Sequence, residues 1–215
     1  MTARRFEVAH LDDLPRFAGE IVTIPVRIPF GITSFGVNAY GAGKGGEVIE
    51  EHDELGAGAG RHEELYCVVR GHASFELDGS EVDAPAGTLV FVRDPAVRRH
   101  ATAKSPDTTV LVVGGVPGAA FEPSPWEAWL KALPHFEARD YDRAIEVMAR
   151  ALEKHPDNAN VLYNLACSEA RAGEVDAALE HLNRAIELDP RTREWAQTDE
   201  DFDSIRDDPR FPRDG

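Results

Sequence analysis

Residues 50–87 read EEHDELGAGAGRHEELYCVVRGHASFELDGSEVDAPAG, and this stretch decides the fold of the first half of the chain. Glycine, proline and aspartate divide it into short segments of alternating apolar and polar residues, such as Glu64 to Val69 and Ala73 to Leu77. Segments of the same kind lie on either side, at 21–28, 35–40, 47–51, 88–92 and 108–113. Strands at this spacing predict an antiparallel sandwich or barrel, and the expected extent of this β-structure is 21–116.

Polar side chains recur on single faces of these predicted strands. Since side chains alternate along a strand, three sets each share a face: His52 with Glu54; His62 with Glu64 and Tyr66; and Arg98 with His100 and Thr102. If those faces line the mouth of a small barrel, a polar cluster lies there. Such a mouth can hold one small ligand.

The same stretch resembles the first motif of the cupin family, G-x5-H-x-H-x3,4-E-x6-G. Gly46 is followed by five residues and His52, and Glu64 is followed by six residues and Gly71. Glu54 stands where the motif has its second histidine, and nine residues separate it from Glu64. The resemblance implies a cupin β-barrel, also called a double-stranded β-helix or jelly roll.

The family's second motif, G-x5-P-x-G-x2-H-x3-N, fits in two registers. The first begins at Gly79 and places Val90 at the histidine; the second uses the variant V-F-V-P-P-G-V-x-H and places Arg98 there. We favour the second register, because residues 88–92 then form a strand before a turn at Asp94–Pro95. Neither register supplies a histidine.

Two classes of function follow from the resemblance. The first is a non-catalytic module that binds a small polar or anionic molecule beside Arg98, with no cofactor; the second is a metal-dependent oxygenase or isomerase acting on a small polar substrate. The predicted ligand-binding residues are His52, Glu54, His62, Glu64, Tyr66, Arg98 and His100, and no catalytic residue is assigned. The alternative metal site, for iron, manganese, nickel or zinc, consists of His52, Glu54, Glu64 and His100.

The expected position of Arg98 favours the first class. We expect its side chain to face Glu54 and Glu64, where a permanent positive charge repels a metal cation and can pair with an anionic ligand. The run Gly56 to Gly60 does not open a helix, so it is predicted to form a flexible flap and not a phosphate-binding loop.

An internal repeat characterises the second half of the chain. DYDRAIEVMARALEKHP at 140–156 aligns with EVDAALEHLNRAIELDP at 174–190, an offset of 34 residues. This pattern resembles a tetratricopeptide repeat (TPR), which implies paired helices and a protein partner. The closing segment is predicted to cap the last helix pair with its large apolar residues, namely Trp195, Phe202, Ile205 and Phe211; the alternative is a peptide-binding element, which fewer than three repeats disfavour. The predicted architecture is therefore mixed β and α, with a cupin-like domain at 1–120 and a TPR-like helical domain at 125–215.

Composition narrows the class of partner. The net charge of −16 and the pI near 4.8 argue against general binding of nucleic acid or of an anionic membrane surface. Cys67 and Cys167 give no disulfide framework, and no apolar run has the length of a signal peptide or a membrane span. We expect a cytoplasmic protein that forms a homodimer through a barrel face.

Overall fold

The computed structural model describes residues 6–19, 21–56 and 59–213. The chain separates into two compact units, Met1–Pro123 and Ser124–Gly215, joined within an irregular segment that follows the last strand. Of the glycine run predicted as a flap, residues 57 and 58 lie outside the described residues.

Antiparallel strands, one short α-helix and one 3₁₀ turn, Leu11–Asp13, make up the described part of the first unit. The bounds are β1 Val22–Pro25, α1 Arg27–Phe30, β2 Gly36–Ala42, β3 Glu47–His52, β4 Glu63–Arg70, β5 His72–Leu77, β6 Ser80–Pro85, β7 Leu89–Val92, β8 Arg99–Ala103 and β9 Thr108–Gly115. They form two sheets, ordered β1-β2-β9-β4-β7 and β3-β8-β5-β6. Without β1, each sheet has the order in which a double Greek key interleaves its strands, which is a jelly roll.

Apolar side chains fill the first unit between the two sheets. Tyr66 and Val68 of β4, Phe75 of β5 and Val110 of β9 are almost completely buried, in keeping with the alternation of inward and outward side chains along each strand. Towards the end where β3 stops and β4 and β8 start, these buried positions change from apolar to charged residues. The candidate site lies at that end.

Helices and one 3₁₀ turn, Glu200–Phe202, form the second unit. The helices are α2 Glu127–Glu137, α3 Tyr141–Lys154, α4 Ala159–Ala172, α5 Val175–Leu188 and α6 Arg191–Thr198. The starts of α3 and α5 differ by the 34 residues of the sequence repeat. Among the described residues, no helix combines the length and hydropathy needed to cross a membrane.

The predicted cap of the helical unit is largely buried. Phe202, Ile205 and Phe211 join the core formed by α4 and α5. Trp195 remains 43% exposed, and its ring meets the Tyr163 ring edge-on at 5.8 Å. Three of the four predicted capping residues therefore cover the end of the last helix pair, and the fourth lies at its rim.

Candidate functional site

A group of charged and polar side chains occupies the interior of the first unit where β3 ends. We call His52, Glu54, Glu64, Tyr66 and Arg99 the interior polar cluster. His52 is the last residue of β3, whose pairing with β8 shifts register between Ile49 and His52. Glu64 and Tyr66 share the inward face of β4, and Arg99 begins β8. The structure thus brings together four of the residues predicted from sequence and adds Arg99.

Glu64 is the centre of the cluster. Its Oε2 atom accepts a hydrogen bond from Arg99 Nη1 at 3.0 Å and another from the Tyr66 hydroxyl. His52 Nε2 lies 3.8 Å from the same oxygen. Burial alone would raise the pKa of Glu64, but the interactions with His52, Tyr66 and Arg99 outweigh it and hold the pKa below its usual value. Glu64 is therefore a buried carboxylate that stays ionised.

Arg99 has no solvent exposure, and the protein itself uses its donors. Besides the bond to Glu64, Nε donates to the Val97 carbonyl at 3.1 Å, and Nη2 donates to the carbonyls of Asp94 and Pro95 at 3.4 and 3.2 Å. The guanidinium thereby fixes the turn between β7 and β8 against Glu64. Because these donors are already engaged, Arg99 is not available as a bidentate clamp for an anion.

The prediction that Arg98 faces Glu54 and Glu64 is wrong by one residue. Burial along β8 alternates with Arg99, Ala101 and Ala103 inward, so the Arg98 side chain points outward. Arg98 Nε donates to Glu51 at 2.5 Å, and the side chain is 67% exposed. The small apolar residues at positions 101 and 103 were the sequence signal for the correct inward face.

His100 is displaced from the cluster for the same reason. Its Nε2 lies 2.9 Å from Glu47 Oε1, and it shares a depression on the outer face of the second sheet with Arg98. The structure therefore separates both predicted residues, Arg98 and His100, from His52, Glu54 and Glu64. As a consequence, a metal site using all four of His52, Glu54, Glu64 and His100 does not form.

His52 carries a proton or faces a cation. Its Nδ1 lies 2.7 Å from the Glu50 carbonyl oxygen and donates to it, which directs Nε2 towards Glu54 Oε1 at 3.7 Å and Glu64 Oε2 at 3.8 Å. A bare nitrogen lone pair would be repelled by two carboxylates. Burial lowers the pKa of His52, but Glu64 and the Glu50 carbonyl more than compensate, so the pKa is raised.

Glu54 ties the cluster to the start of β4. Its Oε2 accepts the backbone N–H of Gly60 at 2.9 Å and that of His62 at 3.3 Å, and His62 Nδ1 lies 3.6 Å away. Both Glu54 and His62 are buried. His62 therefore lies next to Glu54, behind the cluster, and its ring is not among the groups that converge on Glu64.

The cupin resemblance implies a divalent metal, and three residues of the cluster fit one by position. Single ligand atoms of His52, Glu54 and Glu64 lie within 4.8 Å of one another. His52 donates its other ring N–H to a backbone carbonyl, as metal-ligating histidines do. These three residues would hold the ion. Glu64 Oε2, however, is already bonded to Arg99 and Tyr66, so a metal would compete with a permanent cation for that carboxylate.

Comparison with known proteins gives one family match and several similar solved structures. Residues 122–191 match the tetratricopeptide-repeat family model. Similar solved structures include a cupin protein from Bacteroides fragilis (17% identity, TM-score 0.41, covering 58% of this chain and 92% of that one) and KdgF from Halomonas sp. (17%, 0.41, 52% and 92%). Another is a cupin-superfamily sugar phosphate isomerase from Silicibacter pomeroyi (18%, 0.42, 51% and 76%). No curated protein sequence matches the chain.

The strand order itself carries the assignment of the first unit, and the family match carries that of the second. The predicted fold class, a cupin-like jelly roll followed by TPR-like helices, is confirmed. Fold alone does not select a chemistry, because cupin-like and helical-repeat scaffolds each serve unrelated functions. A choice between chemistries therefore depends on the residues of the candidate site.

Proposed function

We propose that the first unit binds a small polar molecule at the interior polar cluster in a regulatory, non-catalytic role. The observation that carries this proposal is the charge balance of the cluster. Two carboxylates, Glu54 and Glu64, are matched by the Arg99 guanidinium and by a histidine, His52, whose pKa is raised. With a guanidinium and an imidazole already placed against the two carboxylates, a metal is not required to offset their charge.

The chemistry of the accessible groups favours a hydroxyl-bearing ligand over an anion. The donors of Arg99 bond to protein oxygens, whereas the His52 side chain is 34% exposed and can donate from Nε2. Glu54 Oε1, facing His52, can accept from a ligand hydroxyl. A neutral polyol, sugar or nucleoside satisfies both groups, while an anion would meet two carboxylates.

Thermal-shift screening followed by calorimetry tests this proposal. The panel contains sugars, polyols and nucleosides, with sugar phosphates and dicarboxylates as the anionic arm. We expect a neutral hydroxyl compound to bind, and His52→Ala to weaken it at least tenfold while His100→Ala, on the outer face, leaves it unchanged. Binding that is lost equally in both variants, or that is confined to the anionic arm, would contradict the assignment.

A metal-dependent enzyme is the second candidate, and the position of His52 favours it. Nε2 points between two carboxylate oxygens, the place of a proton or of a cation. A bound divalent metal would supply Lewis-acid chemistry there. Elemental analysis of protein purified without chelators decides between the candidates: near-stoichiometric metal that is lost in Glu54→Ala supports the enzyme, and its loss in Glu47→Ala as well would point to surface adsorption.

We also propose a protein partner for the second unit and a second copy of the chain as the partner of the first. TPR helices are typical of protein interaction, so we assign a protein partner to the second unit. On the first unit, the outer face of β4 and β7 exposes Val69 (41%), Leu89 (63%) and Phe91 (48%) beside β7, which ends its sheet. Apolar exposure next to an edge strand favours pairing with a second copy, and we propose a homodimer through this face in a cytoplasmic protein.

Light scattering tests the homodimer. Phe91→Glu places a charge in the centre of the exposed face and should shift the mass to that of a monomer. Phe35→Glu is the matched control, since Phe35 is exposed to a similar extent, 43%, in a different part of the unit. A monomer mass for the unmodified protein at high micromolar concentration would rule out this interface.

A further inference from the structure

The segment that leads from the last strand towards the helices is attached to the interior polar cluster by a single aromatic side chain. Residues 116–123 have no regular secondary structure, and Phe121 among them is only partly exposed. Its ring lies 5.9 Å from the His62 ring, with 33° between the two planes. His62 in turn contacts Glu54, a member of the cluster. Glu54, His62 and Phe121 therefore form a continuous chain of contacts.

Three residues surround the Phe121 ring, namely Arg27, Gly36 and His62. We call the space between them the seat of Phe121. The Arg27 guanidinium lies over the Phe121 ring at 5.5 Å from its centre, and Arg27 is itself 5% exposed. Gly36 lies beneath it: a Cβ atom there would be 3.0 Å from Phe121 Cε2. A cation on one side, an imidazole on another and a residue without a side chain below make a fitted site for one aromatic ring.

Close packing also occurs at the Glu54 end of these contacts, between Gly60 and His62. Gly60 packs so closely against His62 that a Cβ atom on it would lie 2.1 Å from His62 Cε1. The N–H groups of Gly60 and His62 both donate to Glu54 Oε2. The position of the His62 ring thus depends on Glu54 holding this backbone.

We infer that Glu54, His62 and Phe121 connect the binding site to the segment that precedes the helical unit, so that occupancy of the site changes the freedom of residues 116–123. This inference rests on the proposed function, because it states how binding at the interior polar cluster acts on residues 116–123. A ligand that draws Glu54 away from the Gly60 and His62 amides loosens the seat of Phe121. By reciprocity, anything that removes Phe121 from its seat alters the affinity of the site.

Hydrogen–deuterium exchange on the full chain tests the connection without any ligand. We expect His62→Ala to speed exchange in the peptide covering 116–124 several-fold, and His62→Phe, which keeps a ring against Phe121, to speed it much less. Glu54→Ala should act like His62→Ala. The control is Glu47→Ala, whose carboxylate pairs with His100 on the outer face. Exchange in β5 and β6 should stay unchanged throughout.

A second variant keeps the inference testable if the buried substitutions unfold the protein. Gly36→Ala pushes against Phe121 from below without touching the cluster and should also speed exchange at 116–124. Unchanged exchange there in both His62→Ala and Gly36→Ala would overturn the connection. A panel without any binder would instead remove the proposed function and leave these exchange results standing, so the two failures are distinguishable.

Discussion

The interiors of the two units differ in what they bury. In the helical unit the core around Leu162, Leu182 and Phe202 is apolar, and the buried carboxylate Glu169 forms an ion pair with the partly exposed His181. In the first unit, apolar residues give way to Glu54, Glu64 and Arg99 at one end of the sandwich.

Buried ion pairs are a poor source of stability, because removing both charges from water costs several kcal/mol before their attraction is counted. Apolar residues of similar size would stabilise the first unit as well or better. The converging charges of the interior polar cluster are therefore not explained by stability, and this is the part of the first unit to which we assign a binding site.

The largest effect is expected for Arg99→Ala. It leaves Glu64 buried without its cation and frees the turn carbonyls of Asp94 and Pro95, so the free energy of unfolding of the first unit should fall by about 3–5 kcal/mol. The neighbouring Arg98→Ala is the matched control. Its ion pair with Glu51 is exposed, so the loss should be under about 1 kcal/mol.

Spectroscopy can separate the two units in this experiment. All three tryptophans, Trp126, Trp129 and Trp195, lie in the helical unit, so their fluorescence in urea reports that unit, while far-ultraviolet circular dichroism reports both. Arg99→Ala should shift only the transition that tryptophan does not detect. Equal losses in Arg98→Ala and Arg99→Ala would contradict the inward position of Arg99.

Leu182→Ala tests the apolar side of the contrast. Leu182 is fully buried between α4 and α5, and truncation should lower the free energy of unfolding of the helical unit by about 2–5 kcal/mol through lost burial and a cavity. Tryptophan fluorescence measures it directly. Glu180→Ala, at an exposed position of the same helix, α5, serves as the control and should change stability little.

Sequence predicted the architecture well because its signals are periodic. The β-segments recur several times and the 34-residue repeat occurs twice, so a local error does not change the conclusion. Strand β6, by contrast, was not predicted. Its sequence SEVDAP has only Ala84 buried, and an edge strand with exposed polar side chains shows little apolar alternation.

The candidate site was predicted in part, and the error has a simple origin. Glu64 and Tyr66 share the inward face of β4 as predicted, and His52 and Glu54, at the end of β3 and just beyond it, lie close to them as predicted. The inward face of β8 depends on the length of the turn before it, and one residue more or less exchanges inside for outside. Because of this shift by one residue, Arg99 lies at the inward position that was predicted for Arg98. Contacts such as His62 with Phe121 join residues far apart in sequence, and no local pattern indicates them.

A smaller effect is expected from a pair of matched tyrosines, one in each unit. The Tyr66 hydroxyl donates to Glu64, and the Tyr163 hydroxyl donates to Asp199 at 2.8 Å. Tyr66→Phe should cost about 1.5–3 kcal/mol because Glu64 is buried and keeps its charge, and Tyr163→Phe should lie at or below the lower end of that range. Urea unfolding measures both. A larger loss for Tyr163→Phe would mean that the hydrogen bond to Asp199 contributes more to the free energy of unfolding than the hydrogen bond to Glu64.

The smallest expected effect is a difference in pH dependence between the units. The pKa of Glu64 is lowered in the folded chain, so its contribution is present above the ordinary glutamate pKa of 4.5 and is lost as pH falls. In the helical unit, burial and the nearby charge of Asp199 outweigh Arg171 and raise the pKa of Asp201 to about 6. The folded state then binds a proton more tightly than the unfolded state, so this contribution decreases as pH rises from about 4 to 6.

Comparison of the unmodified protein with Asp201→Asn isolates that contribution. Tryptophan-detected unfolding between pH 4 and pH 6 should show the stability of the unmodified helical unit falling, relative to the variant, by on the order of 1–2 kcal/mol. Asp157→Asn is the control, because Asp157 is 72% exposed, pairs with Arg184 and is not among the groups that act on Asp201. Glu200, Asp203 and Arg171 also act on Asp201, so high salt should reduce the difference without reversing its sign. Parallel pH profiles for Asp201→Asn and the unmodified protein would show that Asp201 ionises in the folded chain as freely as in the unfolded one, and that the two units do not differ in this respect.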